Sequence, residues 1–167
     1  MRIPHDGKGP GGMAWVKRDE LGEGTAKLLL QAFNFKTDTA NDDGSQERPF
    51  FFNATLLLSG PKSYTLNETV SILSSASLPS SSSHEPVKIE EVSIDEYASQ
   101  RIVQNSLDYG GGAVWPVLWA TAFEGIRQGE AGVVTGTLES VLGRKCESFE
   151  VTIGEMVREG RREEERK

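Results

Sequence analysis

Two helix-start signatures, each following a short apolar segment, restrict the fold of this chain more than any other feature of its sequence. Thr65–Glu68 (TLNE) and Ser93–Glu96 (SIDE) both match the capping box S/T-x-x-E. In that motif the hydroxyl and the carboxylate accept hydrogen bonds from backbone N–H groups that a helix start leaves unpaired. The segments before them, Phe50–Leu58 and Val87–Val92, have the apolar and β-branched residues of strands. Strands that alternate with helices predict an α/β fold.

Helical periodicity predicts the remaining elements. Residues 19–33 carry acids in their first turn, which suit the positive end of a helix, and leucines recur at helical spacing after them. Residues 116–128 show the longest such pattern, with a proline in the first turn and Gly129 as a stop. Residues 138–142 and 148–157 predict two final helices, the last with Phe149, Ile153, Met156 and Val157 facing inward.

Two polar inserts and a charged tail interrupt this pattern. Residues 36–48 lack periodicity, and residues 74–85 are almost all serine, so both predict solvated loops. Residues 158–167 carry charges of mixed sign and predict a frayed helical tail. With 167 residues and 37% apolar content, residues 1–157 are expected to form one domain.

The overall charge excludes two classes of partner. A net charge of −7 and a pI near 4.9 argue against nucleic acid and anionic membrane surfaces, because both require clustered Lys and Arg. No apolar run approaches the roughly 20 residues that span a bilayer. The polar, glycine-rich start lacks the layout of a signal peptide, so a cytoplasmic protein is predicted.

Few residues suggest catalysis or metal binding. The single cysteine, Cys146, permits no internal disulfide and lacks an adjacent base, so a packed or exposed thiol is expected rather than a nucleophile. His5 and His84 are isolated and do not have the spacing of metal ligands. The adjacent carboxylate pairs Glu90–Glu91 and Asp19–Glu20 predict surface charge rather than an acid/base pair.

The glycine cluster Lys8–Met13 (KGPGGM) raises the question of a phosphate-binding loop. Such a loop needs a strand before it and a helix directly after it, so that backbone N–H groups and the helix start hold the anion. Here only a few residues precede the cluster, and Met13–Val16 predicts a short strand after it. A flexible turn is therefore expected.

Aromatic residues around a second glycine run leave two interpretations open. Tyr109–Trp115 (YGGGAVW) suits either a lid over a pocket or a spacer between helices. Trp115 and Trp119 share one helical face, which favours core side chains over an aromatic platform for a substrate.

Most of the chain, apart from the two inserts and the tail, resembles a known family. The similarity is carried by DGK in Asp6–Lys8, by AWVKRDELGEGTAKLL in residues 14–29 and by LLLSGPKSYTLNETVSILS in residues 56–74. It continues through VKIEEVSIDEYAS in residues 87–99 and the stretch of residues 122–153. These segments resemble the second half of NmrA-like proteins, which are atypical relatives of the short-chain dehydrogenases and reductases.

The resemblance implies the C-terminal portion of a Rossmann-type NAD(P)-binding fold with its substrate-side helices. The N-terminal half, which makes most contacts to NADP or NAD in the family, is expected to be missing here. The resemblance places Asp6, Gly7 and Lys8 beside the nicotinamide and substrate cleft, where Lys8 contacts a phosphate or polarises a carbonyl. A solvated turn lysine is the alternative. Tyr109, Trp115 and Trp119 fall on the substrate side.

The residues for hydride-transfer catalysis are absent from the sequence. No glycine fingerprint follows a strand, and none of the three tyrosines has a lysine four residues later. We therefore expect a truncated relative of NAD(P)H-dependent quinone or carbonyl reductases that is not catalytic by itself. Two alternatives remain: a non-enzymatic regulator that senses the dinucleotide, and a fragment that binds a protein partner or itself through an exposed sheet edge.

Overall fold

The computed structural model of the chain describes residues 1–9, 11–38, 50–77, 86–106, 114–164 and 166. This part of the chain is mostly helical, with two short strands and one turn of 3-10 helix at Glu130–Gly132. The strands and helices in chain order are β1 Arg2–Ile3, α1 Arg18–Asp38, α2 Leu66–Ser77, β2 Glu90–Glu91, α3 Ile94–Ser99, α4 Arg101–Ser106, α5 Val114–Ala120, α6 Ala122–Arg127, α7 Thr137–Leu142 and α8 Phe149–Glu164.

The chain divides into two compact units. The first comprises Met1–Ala14, Ser63–Val133 and Ile153–Lys167. The second comprises Trp15–Lys62 and Val134–Thr152. Of the helices described, none combines the length and the apolarity needed to cross a membrane.

The first unit is built around a small parallel sheet. β1 pairs with β2, with Arg2 opposite Glu90 and Ile3 opposite Glu91. Parallel neighbours need a crossover connection, and the chain between these strands includes α1 and α2. The helices cover the strands through a buried apolar cluster of Ile3, Leu66, Val92, Tyr97, Val103, Ala120 and Ile126. The expected α/β character is therefore present, but the sheet described is small.

The predicted capping box forms in full at α2, and at α3 its N-cap hydrogen bond forms. At the start of α2 the Glu68 N–H donates to Thr65 Oγ1 over 3.2 Å, and Glu68 Oε2 accepts from the Thr65 N–H over 2.8 Å. At the start of α3 the Glu96 N–H donates to Ser93 Oγ over 3.2 Å. These helix starts depend on residues three apart, which is why the sequence alone predicts them.

The two predicted strands are largely absent. Only Glu90–Glu91 of the predicted strand 87–92 pairs in the sheet. Residues 50–58 form no strand; Phe50 lies in a turn and is 69% exposed. The chain that follows is held by hydroxyl groups, because the Thr135 N–H donates to Ser59 Oγ over 2.7 Å and Thr135 Oγ1 donates to Leu57 O over 2.6 Å. Side-chain hydroxyl groups here make the hydrogen bonds to backbone groups that a neighbouring β-strand would otherwise make.

The predicted helix 116–128 is broken in two. α5 ends at Ala120 and α6 begins at Ala122, and the hydroxyl of Thr121 donates to Leu118 O over 2.7 Å. Threonine side chains compete in this way with the helical backbone bonds. Gly129 ends α6 with a φ of 84°, as predicted.

Several apolar side chains expected in the core are exposed. Trp115 and Trp119 on α5 are 46% and 53% exposed, so their assignment to the core was wrong. Helix α5 packs against α3, and its buried residues are Pro116 and Ala120. The two indoles therefore lie outside the buried apolar cluster of the first unit. Ile102 on α4 and Met156 on α8 are also largely exposed.

The inserts and the tail are partly helical. α1 extends to Asp38 and α2 to Ser77, so the first residues of both predicted loops continue the preceding helices. The other residues of the two inserts lie outside the described residues. α8 continues to Glu164 and so includes most of the predicted tail. The assignment of residues 1–157 to one domain stays a prediction.

In the glycine cluster after Lys8, the backbone at Gly11 and Gly12 packs directly against the backbone of Ile126 and of Tyr64, a contact here called the crossing. A β-carbon added at Gly11 would lie 1.8 Å from the carbonyl oxygen of Ile126, and one at Gly12 would lie 2.7 Å from the carbonyl oxygen of Tyr64. Met13 bridges to Tyr64 by two backbone hydrogen bonds of 2.8 and 3.0 Å. The cluster is therefore not a flexible turn, and the predicted strand 13–16 is limited to this one bridge at Met13.

The second unit has its own core and a charged cluster at its edge. Leu138, Leu142 and Cys146 are buried together, with Val16 and Leu58 packed against them. On α1, the buried carboxylate of Glu20 accepts from the Arg144 guanidinium and, over 3.0 Å, from the Glu147 N–H. The chain between α7 and α8 is thereby fixed to α1 by hydrogen bonds to a charged group, which are stronger than neutral ones.

The crossing predicts a steric effect of substitution at Gly11. Gly11→Ala should lower the free energy of unfolding by about 1–3 kcal/mol, because the new methyl group overlaps the Ile126 carbonyl. Gly160→Ala is the matched control, since Gly160 lies on α8 with no atom near its β-position. That change should raise stability by up to about 1 kcal/mol. Urea denaturation of both variants tests this, and equal stability of Gly11→Ala and the parent would contradict the crossing.

Candidate functional site

The loop of residues 4–9, here called the β1 loop, has the position that ligands favour in parallel sheets. It follows β1 directly and lies at the carboxyl end of the parallel pair, where β2 ends at Glu91. Ligands of open α/β folds bind beyond the carboxyl ends of the strands. Asn67 of α2 and Arg127 of α6 also contact the β1 loop. All of these residues belong to the first unit.

His5 has a buried side chain in the β1 loop. Its side chain is 1% exposed, and its Nδ1 accepts a hydrogen bond of 2.8 Å from the Gly7 N–H. Nδ1 therefore carries no proton, and the neutral ring has its proton on Nε2. Within the described part of the chain, Nε2 has no hydrogen-bond partner. Burial, followed by the charge of Arg127, lowers the pKa of His5 below its usual value.

Asp6 shapes the turn of the β1 loop. Its Oδ1 accepts from the Lys8 N–H over 3.0 Å, which is the local bond of an Asx turn. That N–H, with a smaller contribution from Arg127, lowers the pKa of the Asp6 carboxyl. The Lys8 side chain is exposed. The carboxylate is thus ionised and oriented, while the neighbouring ammonium group extends into solvent.

Gly7 fills a place that no other residue fits. Its φ of 77° lies in the left-handed region, and a β-carbon there would lie 2.4 Å from Asn67 Oδ1 and 2.7 Å from Ile89 Cδ1. Both the backbone conformation and the packing therefore require glycine. The β1 loop is held against the start of α2 by this contact.

Arg127 neutralises the acidic groups around the β1 loop. Its guanidinium nitrogens lie 3.6 Å from Asp6 Oδ1, 3.2 Å from Glu91 Oε1 and 3.5 Å from Glu124 Oε2. Three carboxylates thus share this one guanidinium, and the exposed Lys8 is the other cation of the β1 loop. The local charge balance is slightly negative, which disfavours a phosphate group at this position.

A shallow groove lies on the first unit at β1. It has a volume of about 370 Å³ and a largely apolar wall. The side-chain amide of Gln100 lies in it and donates to the carbonyl oxygen of Arg2 over 3.1 Å. Its lining residues are Met1, Arg2, Ile3, Tyr97, Gln100, Ile102 and Val103.

The structure brings together some of the predicted site residues. Asp6, Gly7 and Lys8 share the β1 loop, whereas Trp115 and Trp119 lie on α5 with half-exposed indoles. Tyr109 lies outside the described residues. A role in binding stays a prediction for all of these positions.

Sequence reasoning missed the neighbours that fix the β1 loop. Arg127 and Asn67 are distant from it in the sequence and carry no motif, so only the fold brings them near. From the sequence, His5 is weighed only as a metal ligand or as a base for Cys146. The described residues contain no cluster of three metal-binding side chains. Cys146 belongs to the second unit, where burial raises its pKa and makes it a poor nucleophile.

Two glycines of the β1 loop provide a matched test of its packing. Gly7 and Gly9 both have positive φ, at 77° and 98°, but only Gly7 has atoms within 4 Å of its β-position. Alanine at either position should cost about 1–2 kcal/mol of backbone strain. Gly7→Ala should cost a further 1–3 kcal/mol or so through overlap with Asn67 and Ile89. Equal unfolding free energies for the two variants in urea would show that this contact is absent.

Solved structures with the same fold are reductases and epimerases. No protein-family profile matches the sequence, and no curated protein matches it. A nucleoside-diphosphate-sugar epimerase from Staphylococcus aureus is 17% identical, with a TM-score of 0.57 over 92% of this chain and 43% of its own. A triphenylmethane reductase from Citrobacter sp. is 20% identical, with a TM-score of 0.58 over 94% and 44%.

An NADPH-dependent quinone oxidoreductase from Escherichia coli belongs to the same group. It is 16% identical, with a TM-score of 0.57 over 94% of this chain and 45% of its own. The Citrobacter and Escherichia proteins have also been solved with NADP(H) or NADPH bound. This chain spans less than half the length of each of these proteins. The similarity shows that the chain shares part of the fold of these reductases and of this epimerase.

Proposed function

We propose that this chain is a truncated NmrA-like protein, the C-terminal portion of an NAD(P)H-dependent quinone or carbonyl reductase fold, and that it does not catalyse hydride transfer alone. The observation that carries the proposal is the shared fold over more than nine-tenths of this chain with quinone and dye reductases. The motifs of residues 14–29 and 56–74 support the NmrA-like assignment. A cytoplasmic location belongs to the same proposal.

The β1 loop is the part of the chain that would face the cofactor. Its charge balance supports contact with the nicotinamide end of NADP or NAD rather than with the pyrophosphate. Arg127 is already shared by Asp6, Glu91 and Glu124, and the start of α2 is capped by its own Glu68. Neither the guanidinium nor this helix start is therefore available to an anion. A neutral carboxamide or ribose hydroxyl suits the carboxylate of Asp6.

Lys8 takes the second of its two expected roles in this proposal. Its ammonium group is exposed at the tip of the β1 loop. A point charge there would polarise a substrate carbonyl by donating a hydrogen bond to its oxygen, as lysine does because it lacks the fork geometry of arginine. Trp115 and Trp119, with their indoles half exposed on α5, would contribute an apolar wall on the substrate side.

The missing catalytic pair leaves the regulator hypothesis open as a second candidate. A protein that binds the dinucleotide without turning it over needs neither a proton donor nor a lysine beside it. The absence of Tyr-x-x-x-Lys from the sequence favours this hypothesis as much as it favours truncation. Binding and turnover must therefore be measured separately.

A specific observation also favours a protein partner. The exposed apolar residues of α5 cover most of that short helix and include two tryptophans, which are enriched in interfaces. The sequence predicts that a partner binds at an exposed sheet edge. At the outer edge of β1, however, the Gln100 side-chain amide already donates to the carbonyl oxygen of Arg2, so this edge is partly blocked. A partner or a second copy would therefore bind at α5 rather than at the sheet edge.

Nuclear magnetic resonance of the 167-residue chain tests the cofactor proposal. Reduced nicotinamide riboside, which carries no phosphate, should shift the backbone amide signals of Asp6, Gly7 and Lys8. Adenosine 2′,5′-bisphosphate should not shift them, because Arg127 is already shared by three carboxylates and the local charge balance is slightly negative. NADPH mixed with a quinone and this chain should show no oxidation beyond the blank.

Two lysine variants provide the control. Lys8→Ala should weaken binding of the riboside roughly tenfold, because its ammonium group would donate to the carboxamide oxygen and a hydrogen bond to a charged group contributes about 1.5 kcal/mol. Lys88→Ala should leave binding unchanged, because Lys88 is exposed and precedes β2 rather than following β1. NADPH turnover by this chain would overturn the non-catalytic assignment. Shifts in the β1 loop caused by the bisphosphate alone would overturn the proposed orientation.

A further inference from the structure

We propose that His5 is an acid-operated latch: protonation of its Nδ1 breaks the hydrogen bond from Gly7 and releases the β1 loop from the start of α2. The inference concerns the β1 loop itself and does not depend on the proposed cofactor. It starts from the one side chain in this loop that is both buried and able to change its charge near neutral pH.

The hydrogen bond that holds the latch closed exists only for the unprotonated nitrogen. The Gly7 N–H donates to Nδ1 over 2.8 Å, and Nδ1 can accept only through its lone pair. A proton on Nδ1 would occupy that lone pair and set two N–H groups against each other. The Gly7 N–H would then be buried without its partner, which is unfavourable.

A second acceptor for the new proton already lies beside the ring. Asp6 Oδ1 is 3.4 Å from His5 Nδ1. The same oxygen accepts from the Lys8 N–H over 3.0 Å. A protonated His5 would therefore draw Asp6 Oδ1 toward the ring and weaken the Asx turn, so that both local hydrogen bonds of the β1 loop change together.

The position of Gly7 couples this change to the contact with α2. Its φ is 77°, and Asn67 and Ile89 occupy the place where a β-carbon would lie, so Gly7 packs directly against these two side chains. When the bond from its N–H is lost, the residue must leave its place between these side chains. The contact between the β1 loop and the start of α2 is then lost as well.

The charged groups around the ring set the direction of the pH dependence. Arg127 of α6 opposes a positive charge on His5, whereas Asp6 of the β1 loop, Glu91 of β2 and Glu124 of α6 favour it. Burial opposes it most strongly, so the pKa of His5 lies below its ordinary value. The latch is thus closed at neutral pH.

The sign of the stability change follows from this lowered pKa. In the unfolded chain a histidine titrates near 6.5, at a roughly ordinary value. Above that pH neither state binds the proton, and the contribution of the neutral buried ring is fully present. As the pH falls below about 6.5 the unfolded state binds more protons, so stability decreases until the lower pKa of the folded state is passed.

A pH titration followed by nuclear magnetic resonance tests the latch. The chain has two histidines, so His84→Asn identifies the ring signals of His5. We expect His5 to titrate below the ordinary range. Hydrogen exchange at the Gly7 amide should accelerate at least tenfold relative to its intrinsic rate as His5 titrates. Intrinsic amide exchange slows as the pH falls over this range, whereas opening of the latch accelerates exchange at Gly7. The two effects therefore have opposite signs.

A non-titrating variant separates the latch from general acid unfolding. In His5→Asn the amide oxygen takes the place of Nδ1 as acceptor but does not titrate. The Gly7 amide should then stay protected, with no acid-dependent step. Retention of the step in His5→Asn would overturn the proposal, as would an ordinary pKa for His5 or unchanged protection of Gly7 across its titration.

A second variant covers the case in which His5→Asn does not fold. Asp6→Asn removes the nearest negative charge and should move the midpoint of both the ring titration and the exchange step to more acidic pH. The two midpoints should move together. An exchange step that stays in place while the ring titration moves would also overturn the proposal.

Discussion

The first unit depends on the close approach of two backbones at Gly11. The carbonyl oxygen of Ile126 occupies the space that any side chain at Gly11 would need, and Gly12 meets Tyr64 in the same way. Backbone hydrogen bonds from Met13 to Tyr64 and from Ala14 to Ala131 follow directly after this crossing. The chain after β1, the lead into α2 and the end of α6 are thereby brought to one point, which no set of side-chain contacts could achieve at this distance.

The crossing is also one of the contacts that hold the β1 loop, although the loop is rich in glycine. At one end it continues from β1, whose backbone pairs with β2. At the other it enters the crossing at Gly11. Between these fixed ends, His5 and Asp6 accept from backbone N–H groups within the loop, and Arg127 contacts it from α6. The result is a short loop with oriented polar groups at the carboxyl end of a parallel pair, which is where a ligand site of an α/β fold belongs.

The sequence predicts the local features of this structure well and the non-local ones poorly. The capping box of α2 and the stop at Gly129 depend on neighbouring residues and were predicted correctly. The strand expected at residues 50–58 was wrong because a strand needs a partner, and there the hydroxyls of Ser59 and Thr135 make the hydrogen bonds instead. Asp6–Lys8 could be identified as a candidate site by resemblance. Its dependence on Arg127, more than a hundred residues away in the sequence, could not.

The contrast between Gly7 and Gly9 determines which positions of this loop can vary in evolution. Gly7 is enclosed by Asn67 and Ile89, whereas the β-position of Gly9 is open and Lys8 extends into solvent. A new side chain at the tip therefore meets no packing obstacle, and at Gly9 the positive φ is what opposes it. A scaffold of this kind separates what must be kept for folding from what is free to diversify, so related chains can differ in ligand preference through the residue at position 8.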